Sequence, residues 1–116
     1  MTKQRRNELG GIILDAAINV HRELGPGLLE SAYRIALKRE LELRNLSVRT
    51  HVLVELVYKD VALGKTYEID LLVENEIIIE TKSCEAISPI FMAQVITYLK
   101  LYNKSLGYLI NFMYRF

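Results

Sequence analysis

Leu9, Ile12, Ile13, Ala16, Ala17, Val20 and Leu24 recur at intervals of three and four residues. That period predicts a helix with one buried face, ended by Gly25-Pro26-Gly27. A second stripe, Leu29, Ala32, Tyr33, Ala36, Leu37 and Leu41, predicts a helix from about Leu28 to Arg44. Arg34, Lys38, Arg39 and Glu42 fall largely outside that stripe. From His51 to Tyr58 the β-branched and aromatic residues predict a strand, and Lys59-Asp60 a turn. After Val61-Ala62-Leu63-Gly64 come two further strands, about Thr66 to Val73 and Glu76 to Ser83. Ser88-Pro89 reads as an N-cap followed by proline at the first helical position. The third helix runs to about Tyr102, with Phe91, Val95, Tyr98 and Tyr102 in one stripe and Met92 and Leu99 beside it. After a short loop from Asn103, Gly107 to Phe112 forms the last strand.

The order is α-α-β-β-β-α-β. The closing strand–helix–strand unit requires a crossover and a parallel pair, whereas the earlier strands form an antiparallel meander. The expected fold is α/β, a mixed four-stranded sheet flanked by helices.

Within the hairpin YEIDLLVENEIIIETKS the charges stand out. Asn75 suits a left-handed turn position, and a three-residue loop closed by Val73 and Ile77 sets Asp70 opposite Glu80. Alternation places Lys82 on the same face as Glu80. Two carboxylates and an ammonium then meet inside an Ile/Leu/Val hairpin, where charge is costly unless paired or metal-bound. A divalent cation relieves the carboxylate repulsion. The same residues also fit a plain solvated face, with Lys82 pairing either acid.

Composition narrows the classes. The chain has 116 residues, enough for one domain, 1–116, with a real core. Its net charge of +1 offers no global field for a polyanion, so a nucleic-acid site has to be a local patch. The single cysteine, Cys84, excludes an internal disulfide and reads as a plain free thiol. No signal peptide or membrane span is evident, so a cytoplasmic protein without membrane contact is expected. Gly25-Pro26-Gly27 lacks the lysine of a phosphate-binding loop.

Single residues carry weaker signals. Glu30 lies in the first turn of the second helix, where a carboxylate gains about 0.3–1 kcal/mol from the helix N-terminus. Tyr33 follows one turn later near the same face, so the two can act together. His21 lies at the edge of the first stripe and reads as a boundary histidine. Gln94 borders the stripe of the third helix, either as surface or pointing into a cleft. The apolar run GYLINF ends in Met113-Tyr114-Arg115-Phe116. A core strand so placed suggests an edge completed by a second copy or a partner chain.

These elements, with Asp on the second strand and Glu-x-Lys on the third, resemble the PD-(D/E)xK nuclease-like (restriction-endonuclease-like) superfamily. More narrowly, GLLESAY (Gly27 to Tyr33) resembles the motif of the GxxExxY protein family. VHRELGPGLLESAY, YEIDLLVENEIIIETKS, AQVITYLKL and GYLINF follow that family in order, across residues 8–112. The resemblance implies a Mg²⁺- or Mn²⁺-dependent phosphodiesterase acting on nucleic acid. It implies Asp70 and Glu80 as carboxylate ligands, the Thr81 carbonyl as a further oxygen ligand, and Glu30 as an acid near the metal. Lys82 is implied as the residue that orients or deprotonates the attacking water. Gln94 and Tyr98 are implied as polar neighbours on the following helix. The chain departs from the family where Phe91 stands in place of an expected histidine, and where relatives continue beyond the last strand. The rival expectations are an inactive nucleic-acid-binding domain and a protein-interaction module.

Overall fold

Helix α1, Lys3–Leu24, starts six residues before the apolar stripe because Thr2 caps it, its hydroxyl accepting from the Arg5 N–H at 3.0 Å. Helix α2 is Glu30–Leu43, and the strands β1 (Val48–Tyr58), β2 (Val61–Val73) and β3 (Ile77–Lys82) follow. Helix α3, Pro89–Leu101, and strand β4, Leu106–Asn111, complete the order that the hydrophobic pattern predicts. These elements come from a computed structural model that describes residues 1–113; the terminal residues 114–116 lie outside the described residues.

The sheet order is β1-β2-β3-β4, antiparallel through β3 and parallel between β3 and β4. Two cores flank it. Helices α1 and α2 cover one face, with Leu9, Ile13, Leu37 and Leu41 against Leu71, Val73, Ile77 and Ile79. Helix α3 covers the other, with Tyr98 against Val52, Val54, Ile69, Leu72 and Ile78. Gly107 lets α3 lie close to β4, since a Cβ there would fall 2.9 Å from Val95 Cγ1 and 3.3 Å from the Ile78 carbonyl.

Three expectations require correction. His21 is not a boundary residue but is buried, 6.5 Å from the Phe112 ring in a stacked arrangement. Met92 lies exposed rather than beside the buried stripe of α3. Strand β2 starts at Val61, not near Thr66, because Lys59 and Asp60 both take left-handed backbone and close a two-residue hairpin turn. An irregularity around Gly64, itself at φ 68°, then shifts the β1–β2 register beyond Glu55.

Alternation also breaks once, at the place that matters. Val48 belongs to the α1/α2 core but Val52 and Val54 to the α3 core; Leu71 and Ile69 divide in the same way. The switch falls between the pairs Thr50↔Leu71 and Val52↔Ile69, at His51 (φ 51°) and Asp70. Beyond it, the β1–β2 hairpin continues as an arm whose first eight β2 residues, Val61–Glu68, are all exposed.

Candidate active site

The site forms where β2 leaves β3. The β2–β3 pairs Val73↔Ile77, Leu72↔Ile78 and Leu71↔Ile79 confirm the register expected from a three-residue loop, with both Glu74 and Asn75 left-handed. One step further the ladder gives way to side chains. The Asp70 N–H donates to Glu80 Oε1 at 3.2 Å. Asp70 Oδ2 accepts from the Thr81 N–H at 2.9 Å and from the Thr81 hydroxyl at 3.0 Å. Thr81 therefore enters the site by orienting Asp70, a contribution separate from the carbonyl ligand expected of it.

Glu80 is only 7% exposed. Burial, and then the Asp70 carboxylate beside it, push its pKa up to about 8, against the opposing pull of the Asp70 N–H and of Lys82. The same neighbourhood reaches Glu30. Burial raises its pKa, Lys82 opposes that rise, and Asp70 adds to it. Glu30, Asp70, Glu80 and Lys82 thus share one electrostatic environment although they come from three elements.

Glu30 arrives there through its loop. Tyr33 is fully buried and stacks on Phe112, ring centroids 4.7 Å apart at 4°. Its hydroxyl donates to the Gly25 carbonyl and accepts from the Leu28 N–H at 3.1 Å. Tyr33 therefore acts with Glu30 by fixing the loop ahead of it rather than by facing the cleft. Ser83 completes the tie, its hydroxyl donating to the Leu28 carbonyl at 3.1 Å. Asn111 holds the chain after Lys82, with its amide donating to the Cys84 carbonyl at 2.8 Å and its oxygen accepting from the Cys84 N–H at 3.2 Å. Ser83 and Asn111 carry no sequence signal beyond being polar residues at strand ends. Cys84 is a free thiol, as expected.

Lys82 does not pair with either acid as a solvated hairpin face would require. Among the described residues it forms no salt bridge, and its Nζ lies 4.5 Å from the centroid of the Phe91 ring. Tyr98, also on α3, has its pKa raised by burial, then by Glu80 and by Asp70. Gln94 and Tyr98 line one cavity together with Tyr67.

Among the described residues, no group of three or more His, Cys, Asp or Glu side chains is gathered as a cation site. Within the expected set of Asp70, Glu80, Thr81 and Glu30, hydrogen bonds join the first three, and Glu30 is coupled to Asp70 and Glu80 through charge. The pair itself fits a hard divalent cation. Burial and the Asp70 carboxylate favour the protonated form of Glu80, a cation would offset both, and the two side chains offer oxygen donors.

Among the described residues no helix is long and apolar enough to cross a membrane. No curated protein and no solved structure matches the chain. A protein-family model does, over residues 7–116, from before the buried stripe of α1 to beyond β4 and through every residue of the site. By that match, and with the two helices, mixed sheet and crossover helix it requires, the chain belongs to the PD-(D/E)XK nuclease superfamily.

Proposed function

We propose that this protein is a divalent-metal-dependent phosphodiesterase that hydrolyses nucleic acid, with Mg²⁺ or Mn²⁺ held by Asp70 and Glu80. The observation that supports this most is the buried Glu80 carboxyl, raised to about 8 beside Asp70 while Lys82 stands near without pairing. A scaffold gains nothing from such an arrangement, since replacing buried charge by apolar residues is often neutral or stabilising. Bound there, the cation supplies Lewis acidity and lowers the pKa of water. The protein's own share is positional. Thr81 orients Asp70, and the Asp70 N–H fixes one Glu80 oxygen. Lys82 supplies a positive charge for a phosphate oxygen or an acceptor for a water proton, and Glu30, in the first turn of α2, is coupled through charge to Lys82 and Asp70. Within the superfamily, GLLESAY and the blocks that follow it support the narrower GxxExxY reading.

The test is cleavage of labelled single-stranded, duplex and branched DNA and RNA with Mg²⁺ and Mn²⁺. Slow, metal-dependent cleavage is expected, and Lys82→Ala should abolish it while fold and metal binding persist. A clean null over all substrates refutes the hydrolase. Cleavage unchanged in Lys82→Ala refutes the role assigned to Lys82 and points to a contaminant.

One observation favours a second reading, a domain that binds nucleic acid or a protein without cleaving. The Phe91 ring occupies the position next to Lys82, where the family resemblance implies a histidine. In that reading the sheet edge offered by β4, which among the described residues pairs only with β3, is the surface for a second copy or partner chain.

A further inference from the structure

Between the β1–β2 arm and α3 lies a cavity of about 280 Å³. Its walls are Leu56 and Tyr67 from the arm and Ile90, Gln94, Thr97 and Tyr98 from α3, among others. None of the residues that line it is charged, so it does not attract a phosphate or a metal. Its volume is just under the roughly 300–1,000 Å³ of cofactor-sized pockets, which limits the occupant to one small ring system. The Tyr67 and Tyr98 rings, 6.3 Å apart and tilted by 46°, offer aromatic surface. Tyr67 and Ile90 are 40% and 57% exposed, so apolar surface remains to be covered. The Gln94 amide, both donor and acceptor, has no hydrogen bond to the described residues. Tyr98 joins the cavity to the acids, because it shares one buried cluster with Ile69, the β2 residue before Asp70, and with Ile78, two residues before Glu80 on β3.

We propose that this cavity receives one unstacked nucleobase of a single-stranded nucleic acid, seated on Tyr67 and Tyr98 and read by Gln94, next to the phosphate held at Asp70 and Glu80. The inference rests on the nuclease reading for its substrate class, and it narrows that class to strands whose bases are free to leave the stack. An aromatic, uncharged cleft beside a charged centre suits a base, because every base has a π face and stacking tolerates any sequence. Duplex DNA keeps its bases inside and cannot fill the cavity without paying to flip one out.

Binding, not cleavage, is the readout. Fluorescence anisotropy in metal-free buffer at low salt would compare short single-stranded DNA and RNA oligonucleotides, their fully abasic counterparts, and duplexes. Two variants of the intact chain serve, Tyr67→Ala to remove the platform and Thr97→Trp to fill the cavity from the exposed side of α3. Each should weaken binding of the normal single strands by about 5- to 100-fold, in line with one lost stacking contact. The abasic strands should bind weakly to the unaltered protein and lose nothing further in either variant. RNA bound in preference to DNA, or the reverse, assigns the sugar and leaves the base pocket in place. Equal binding of normal and abasic strands overturns the inference, as does undiminished binding in Thr97→Trp. If the variants behave as expected but no substrate is cleaved, the base pocket stands and the hydrolase reading falls. If cleavage occurs and the variants change nothing, the hydrolase stands and the pocket falls.

Discussion

Glu80 sets the chemistry of the site at the scale of single residues. With its pKa at about 8, it is largely protonated at neutral pH, and a cation that binds it must displace that proton. Mn²⁺ affinity should therefore climb as pH rises toward about 8, with close to one proton released per metal bound near neutrality. Calorimetry in buffers of different ionisation enthalpy measures that release directly; affinity that is flat with pH would remove Glu80 from the ligand set. Asp70→Ala and Glu80→Ala should each weaken Mn²⁺ binding by at least tenfold, since each deletes an anionic oxygen donor. Cys84→Ala should leave it unchanged, because the thiol donates to the Ala86 carbonyl and has no place among the acids. Unaltered affinity in Asp70→Ala would end the metal-site reading.

Elements bring these residues together, and two contacts show how. Tyr33→Phe keeps the stack on Phe112 but deletes the hydroxyl that holds Gly25 and Leu28. It should cost about 1 kcal/mol in denaturant unfolding and lower cleavage more than it lowers metal binding, because Glu30 loses its anchor while Asp70 and Glu80 keep theirs. Equal loss of both activities would mean that the loop does not position Glu30. Gly107→Ala drives a methyl against Val95 and the Ile78 carbonyl, and should destabilise by about 1–3 kcal/mol. A variant as stable as the parent would show that α3 can move off β4. The helices were readable in the sequence because each carries one unbroken apolar stripe. Asp70, Glu80 and Lys82 were readable because a short loop fixes register by counting. The switch at His51 was not, since histidine's enrichment in left-handed backbone is too small to single out one position inside a β-branched run. Nor was the reach of the arm, whose β2 half exposes both of its faces and so shows no alternation. Ser83 and Asn111 escaped for another reason: they bond loops distant in sequence, and that proximity exists only after folding.

For the whole molecule, the acidic pair makes stability depend on pH in a definite direction. In the unfolded chain Glu80 titrates at its ordinary value of 4.5, and in the folded protein at about 8. Between those values the native state binds more protons than the unfolded one, so stability falls as pH rises. The contribution is fully present below 4.5 and is lost as pH passes through about 8. Glu30, raised in the same direction, adds to the slope. Urea unfolding in metal-free buffer should therefore show an unfolding free energy that declines from about pH 5 to about pH 8, by an amount on the order of a few kcal/mol. Other carboxylates titrate at the acid end of that range, so the comparison that isolates the effect is with Glu80→Gln, which keeps the shape and removes the titration. The difference between the two proteins should grow with pH in favour of the glutamine variant. Millimolar Mg²⁺ or Mn²⁺ should close it again by stabilising only the protein that has both carboxylates. A difference that stays constant across the range would show that Glu80 ionises freely in the fold. Closure by the cation at high pH would link the folding energy of this small sheet to the charge that its site is built to hold.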